Sequence, residues 1–347
     1  MIRMKGLSDR QTKILYAIIH EYIKDRKPIS SKRILEITNL DCSSATIRNE
    51  MNFLEKNGYI YQPHTSAGRI PSDVGYRFYV ECLKSIGKNV NPSHNEMSLL
   101  TDVHLGKFDD VLKNVGVFLS HWMKGMAVIE KPFIEKLRIK RITISNVLFN
   151  YWIVVLVTNM GIAESFTVLM DQDVPVEDLE KFLSEKLYGI RLEEVKSHIE
   201  GMHLPNFSWY SSELESVISF MDKILHQNIE KRFFKSGFES LMKDESLSSD
   251  SLRKCATFME DEEKIKSFLD EHGFSSVPMV NIGHENDIEE LENFAIFFSG
   301  YSAGDNDMGK IAVFTSKTTD YYSNIKSIEF ACNRLTEYMT KLTNMVQ

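Results

Sequence analysis

"SSATIRNEMNFLEKNGYIYQPHTSAGRIPSDVGYRFYV", Ser43 to Val80, holds a helix, a stiffened hairpin and the start of another helix. Ser43 or Ser44 supplies the N-cap, and Asn57-Gly58 brings the left-handed residue that ends such a segment. Turning about 100° per residue puts Ile47, Met51 and Leu54 on one face. The opposite face collects Ala45, Arg48, Asn49, Asn52 and Lys56, with no acidic residue among them. In a DNA major groove an Arg pairs bidentately with guanine, an Asn with adenine, and an Ala meets a thymine methyl. Next, "GYIYQP" and "GRIPS" read as two strand arms around a tip, "HTSA". Pro63 and Pro71 stiffen the arms, and Gly68 is expected to take a turn conformation that other residues resist. Thr65 and Ser66 can donate to phosphate oxygens, and Arg69 can pair with a phosphate or enter a minor groove. His64, at the tip, reads as an exposed polar contact rather than a metal ligand.

The surroundings strengthen this reading. "LSDRQTKILYAIIHEYIKD" starts on a good N-cap, Ser8, and carries Ile14, Leu15, Ile18, Ile19, Tyr22 and Ile23 on one helical face; Pro28 ends it. "SSKRILEITNL" is a short second helix that stops near Asn39. Three helices with a short turn before the third, followed by a hairpin, have the order of a winged helix-turn-helix, with Ser43, Ser44, Ala45, Thr46, Arg48, Asn49, Asn52 and Lys56 on or at the start of its reading helix. "SDVGYRFYVECLKSI" closes the unit as a helix, with Tyr76, Phe78 and Tyr79 assigned to its core. Charge follows the same division. The chain of 347 residues has a net charge of −8, but residues 1–88 hold 15 Lys and Arg against 9 Asp and Glu, while the rest holds 26 against 40. A basic head on an acidic body meets a polyanion with the head alone.

At these residues the sequence resembles a known family. "SSATIRNEMNFLEKNGYI" followed by "QPHTSAGRIPSDVGYRFYV" is similar to the signature of the HrcA family, bacterial heat-inducible repressors of chaperone genes, in a match nearly unbroken from Leu7 to Val80. The resemblance implies a homodimer on an inverted-repeat operator in double-stranded DNA. It makes the helix around Arg48 the recognition helix and the loop through Arg69 the wing. It further implies a GAF-like domain with an inserted dimerisation domain, and a chaperonin as modulator. It extends more thinly through "LYGIRLEEV" and "VNIGHENDIEELENFAIFFSGY". Before the last helix the chain departs from it: the family's usual glycine-proline-threonine-arginine tract reads here as "FTSKTTDYY".

The body is α+β by its own patterning. After a polar linker at 88–100, a helix runs from Asp109 to Trp122, then strands at about 137–145, 150–158 and 162–169 joined by tight turns and so antiparallel. Helical spacing resumes in "VEDLEKFLSEKLYGI", "LESVISFMDKILHQNI" and, past a Ser-rich break at "ESLSSDS", in "EEKIKSFLDEHG". Strands follow at "VPMVNIG", "ENFAIFFSG" and "GKIAVFTS", and a long helix with Ile325, Ile328, Leu335, Met339 and Leu342 on one face ends the chain. The expected organisation is a head at 1–87, the linker at 88–100, and a GAF-like domain at 101–347 whose insertion lies within about 140–275.

Other chemistries find little support. "GYSAG" at 300–304 matches a hydrolase nucleophile elbow, but a strand rather than a helix is expected after it, and no histidine lies beyond His284. Histidines and cysteines show no metal-ligand spacing, no phosphate-cradling glycine run exists, and neither catalysis nor a cofactor is expected. The longest apolar run, Tyr151 to Val157, is far below the roughly 20 residues of a membrane span. With no signal-peptide core at the start and four scattered cysteines, the expectation is a reduced, cytoplasmic protein. The competing reading is a metabolite-responsive regulator that senses a small ligand through its GAF-like domain.

Overall fold

The computed structural model describes residues 7–64, 67–86, 108–132, 137–160, 162–170, 175–201, 232–304 and 306–345, with 215, 216 and 219. Thr65, Ser66, the linker at 88–100 and the expected helix "LESVISFMDKILHQNI", apart from three of its residues, lie outside them.

The head forms where its local signals place it. Helix α1 (Asp9–Asp25) opens on a capping box between Ser8 and Gln11 and closes on Arg26 in the left-handed conformation. Helix α2 (Ser31–Thr38) ends on left-handed Asn39, and α3 (Ser44–Lys56) is capped by Ser43. Gly58 takes a φ of 76° directly after it. Strands β1 (Ile60–Tyr61) and β2 (Ile70–Pro71) pair antiparallel, and α4 (Asp73–Ile86) follows. Ile14, Leu15, Ile18, Ile19, Ile47, Met51 and Leu54 are buried together, each contributing roughly 1.5–3 kcal/mol by leaving water.

The body is built on a five-stranded antiparallel sheet, ordered β7-β3-β10-β9-β8. Its strands are β3 (Met126–Glu130), β7 (Phe233–Ser236), β8 (Met279–Ile282), β9 (Phe294–Ala303) and β10 (Asn306–Ser316). Alternate side chains serve two faces. Ala127, Ile129, Phe297 and Val313 join a core covered by α5 (Phe108–Trp122) and the C-terminal helix, α11 (Tyr321–Met345). Met126, Val128, Ile296 and Phe314 join another, covered by α9 (Ser249–Glu260) and α10 (Glu262–Glu271).

Strands β3 and β7 are neighbours in the sheet, yet about a hundred residues separate them. That excursion carries the three-stranded antiparallel sheet of β4 (Ile139–Leu148), β5 (Tyr151–Thr158) and β6 (Ala163–Leu169), with α6 (Val176–Leu187) packed on β4 and the short α7 (Val195–Glu200) beyond. Its neck is charged: Glu130, 1% exposed, meets Arg232 at 2.6 Å, and the Lys131 amide donates to the Arg232 carbonyl. Desolvation pushes the Glu130 carboxyl up, against the opposing pull of Arg232.

The three predicted strands of the excursion, the last three strands and the terminal helix all form. β3, β7 and α9 are among the elements that escaped the periodicity. Every residue of β3 is buried, so no alternation marks it. β7 spans four residues at a sheet edge. The Ser-rich break contains a cap instead of a loop, since Ser248 accepts the Ser251 amide and starts α9. The "GYSAG" stretch runs out of β9 into a turn at Gly304 and on into β10, so no strand–elbow–helix exists around Ser302.

Head and body share one continuous core. Tyr76 and Tyr79 of α4 are buried, as the sequence suggests, and besides their contacts within the head both meet the ring of Tyr321 of α11, at 5.7 and 6.4 Å between centroids. Arg26 closes the seam from α1, its guanidinium 2.5 and 3.0 Å from the two carboxylate oxygens of Asp244, in the turn after α8 (Phe238–Met242). Burial raises the Asp244 pKa, but hydrogen bonds from Arg26, Ser246 and Ser316 outweigh it and bring it to about 2. Because the folded value lies below the ordinary 3.8, the carboxylate stabilises the fold fully above that value and loses its contribution as pH falls toward 2. Urea unfolding of wild type and Asp244→Asn is therefore expected to show a stability gap at neutral pH that closes between about pH 4 and pH 2. A gap independent of pH would contradict the Arg26–Asp244 pairing.

Candidate nucleic-acid interface

Helix α3 packs on α1 and α2 through Ile47, Met51 and Leu54 and turns its other side outward. Ala45, Arg48, Asn49, Asn52 and Lys56 are all exposed, as their spacing predicts. The start of the helix is held from two sides. The exposed Ser43 hydroxyl accepts the Thr46 amide at 3.1 Å and lies 3.0 Å from the Thr46 hydroxyl. Half-buried Ser44 is engaged with buried Ser31 of α2, at 3.1 Å, so its hydroxyl ties the turn between the two helices. Gln11 and Arg10 of α1 both reach Glu50, at 2.9 and 3.7 Å, and keep that carboxylate off the outward face.

The hairpin sits against this helix. His64 is exposed at its tip, where the Ala67 amide donates to the His64 carbonyl and the Gln62 amide group donates to the Ala67 carbonyl at 2.8 Å. Two expectations change. Gly68 does not take a left-handed conformation; it is required because a Cβ there would overlap the backbone of Ile29, which forms a bridge with Arg69. Arg69, expected to pair with a phosphate or enter a minor groove, is only 15% exposed. Its guanidinium meets Glu55 at 2.8 Å and Asn52 at 3.2 Å, clamping the hairpin to α3 and neutralising the one acidic side chain at the flank. In this arrangement Arg69 orients Asn52, and a phosphate would have to compete with Glu55 for it.

One exposed residue was missed. Phe53 is 39% exposed and neighbours Asn49 and Lys56 on the helix surface. Counting three and four positions from those residues would have found it. An apolar edge there suits a thymine methyl.

Such a surface offers base-edge donors and acceptors framed by cations, with no arrangement for bond-breaking chemistry. Among the described residues no group of His, Cys, Asp and Glu is arranged to hold a metal ion, and no helix is long and apolar enough to cross a membrane.

Comparison with known proteins bears on the whole chain. Residues 109–325 match the family described as the HrcA protein C terminal domain. The heat-inducible transcription repressor HrcA of Thermotoga sp. (strain RQ2) is 36% identical over 338 residues, which cover 97% of this chain and 95% of the relative. Its counterpart in Symbiobacterium thermophilum is 31% identical, covering 95% and 98%. A 2.2 Å crystal structure of a hypothetical protein, 35% identical, superposes with a TM-score of 0.72 over 97% of this chain and all of that one.

The close approach at the hairpin is directly testable. Gly68→Ala must push β2 away from Ile29 and is expected to cost roughly 1–3 kcal/mol, as overpacking does, read by thermal or urea denaturation. An unchanged midpoint would show that the hairpin is not pressed against Ile29.

Proposed function

The chain belongs to the HrcA family of heat-inducible transcription repressors, and from that premise we propose that it binds an inverted-repeat operator in double-stranded DNA as a homodimer, with α3 reading bases. It is a repressor and not an enzyme. The proposal treats 1–87 as a winged helix-turn-helix, 88–100 as a linker, and the remainder as a GAF-like domain with an inserted dimerisation domain. The excursion between β3 and β7 supports an insertion lying between Glu130 and Phe233, shifted toward the N-terminus from the expected range of about 140–275, because α9 and α10 pack on the five-stranded sheet itself.

The observation that carries the reading is the exposed face of Arg48, Asn49, Asn52 and Lys56 on a basic head. Those residue types match base edges in a major groove. Lys and Arg around them neutralise phosphates and release counterions, so affinity falls steeply with salt. Thr65 and Ser66 remain proposed phosphate donors, and Ser43 and Thr46 are proposed to serve the backbone at the helix N-terminus, where anions are favoured. The relatives' names favour heat-inducible repression over metabolite sensing. A chaperonin as modulator rests on the family resemblance.

For the dimer, support comes from the end of the three-stranded sheet. Leu148, Tyr151 and Leu169 lie in register across β4, β5 and β6 and are exposed, with Phe149 74% exposed at the adjoining turn. A contiguous apolar row of this kind marks an interaction surface, and an isologous contact there would give two heads related by a two-fold axis, matching an inverted repeat.

Anisotropy titration against an inverted-repeat duplex and a scrambled control tests the reading, with strong preference for the repeat expected at modest ionic strength. Arg48→Ala should cost roughly 1–3 kcal/mol and relax selectivity at one base position; a loss equal on all sequences would remove α3 from the reading role. Leu148→Asp should convert the dimer to monomer in sedimentation at micromolar protein, and an unaltered dimer would move the interface elsewhere.

A further inference from the structure

Part of the motif that follows the hairpin does not face outward with α3. Asp73 and Arg77, one turn apart at the start of α4, both point into the body. Asp73 receives Lys317 at 2.7 Å and the His284 amide at 3.2 Å. Gly283, at a φ of 58°, passes so close that a Cβ there would overlap the Asp73 carboxylate. Arg77 forks onto Glu285, its Nε donating at 2.7 Å, and also donates to the Val280 carbonyl. With Arg26 on Asp244, three charged residues of the head are thus tied to three separate elements of the body: the loop before α11, the turn after β8, and the turn after α8. Between them the Tyr76 hydroxyl is buried against that of Thr318 at 3.1 Å. Attachment at one point would leave a pivot; attachment at several restrains rotation as well as separation. The divergent "FTSKTTDYY" segment supplies Lys317, Thr318 and Tyr321 to this seam.

The seam leaves the reading face uncovered, since Arg48, Asn49, Asn52 and Lys56 remain exposed beside it. It therefore aims the head without masking it. We propose that Asp73, Arg77 and Arg26 are positioning residues that hold the head at a fixed angle on the body, and so select the spacing between operator half-sites. The inference rests on the homodimer and inverted-repeat reading above. Two rigidly held heads present their helices at one separation, whereas heads swinging on linkers would accept several. Half-sites on one face of B-DNA recur every 10–10.5 base pairs or so, so a change of half a turn puts them on opposite sides.

The test uses full-length protein and an inverted-repeat duplex that the wild type recovers from a random pool, remade with spacers shortened and lengthened in single base-pair steps. Wild type is expected to lose at least tenfold in affinity at a half-turn change. Arg77→Glu should flatten that profile to within about threefold while binding a single half-site as wild type does, and Arg77→Glu combined with Glu285→Arg should restore the sharp profile. If Arg77→Glu unfolds the head, seen as lost half-site binding, Glu285→Arg alone carries the same test from the body side. A spacer profile as sharp as wild type in the single variant, or one that the charge swap does not restore, overturns the proposal. Failure of the wild type to recover any inverted repeat would instead sink the operator reading on which it stands.

Discussion

Tyr321, at the first turn of α11, is the ring on which the two parts of the molecule meet. Tyr76 and Tyr79 approach it from the head and Phe297 from the sheet, and it is fully buried. Four large aromatic side chains from three distant elements can share one desolvated site only if α4 lies across the start of α11. Around that apolar centre the charged residues then have little freedom: Asp73, Arg77 and Arg26 each find an opposite charge on the body. Burial supplies the adhesion and the ion pairs supply the orientation, since a paired charge in a half-desolvated seam tolerates few geometries. Head and body are consequently one packed object, and the pose of the exposed face of α3 is a property of the body as much as of the head.

A second constraint acts at the neck of the excursion between β3 and β7. Glu130 and Arg232 close the two chain segments where they leave the sheet, and both Glu130 oxygens are used, one by Arg232 and the other by the Lys310 amide. The Glu130 carbonyl meanwhile accepts the Tyr301 hydroxyl at 2.5 Å. A carboxylate this deeply buried is tolerable because its partners are built into neighbouring strands. The neck thus joins the exposed apolar row at Leu148, Tyr151 and Leu169 to the rigid sheet that also supports α11. Seam and neck attach to the same five strands, giving a continuous packed route between the surface proposed for dimerisation and the surface proposed for DNA.

The candidate interface itself is a matter of what has been kept off it. Glu50 is drawn aside by Arg10 and Gln11, and Glu55 is neutralised by Arg69, so α3 shows a cationic and amide-rich face although its sequence contains two glutamates. Arg69 illustrates how a residue with the right chemistry for a ligand can be occupied within the protein. Its hydrogen bond to Asn52 orders an amide that would otherwise rotate freely, and an ordered amide reads a base edge at lower entropic cost.

The head was legible in the sequence because its information is local. Caps at Ser8 and Ser43, helix ends at Asn39 and Gly58, and a helical period in the apolar residues all act over four or five positions, and each element formed where they lie. The same holds for the exposed face of α3, which follows from period alone, and for the outer hairpins of the body. Tertiary structure decided the rest. β3 is buried on both faces and carries no alternation to read, and Gly68 proved necessary because of Ile29, a residue far back in the chain. The pairs that aim the head, Arg77 with Glu285, Arg26 with Asp244 and Asp73 with Lys317, join residues 208 to 244 positions apart. Local periodicity determines which side of an element faces the core, but which distant partner it meets depends on how all the elements pack at once, and that is why α3 and its exposed face could be read from the sequence and their orientation on the body could not.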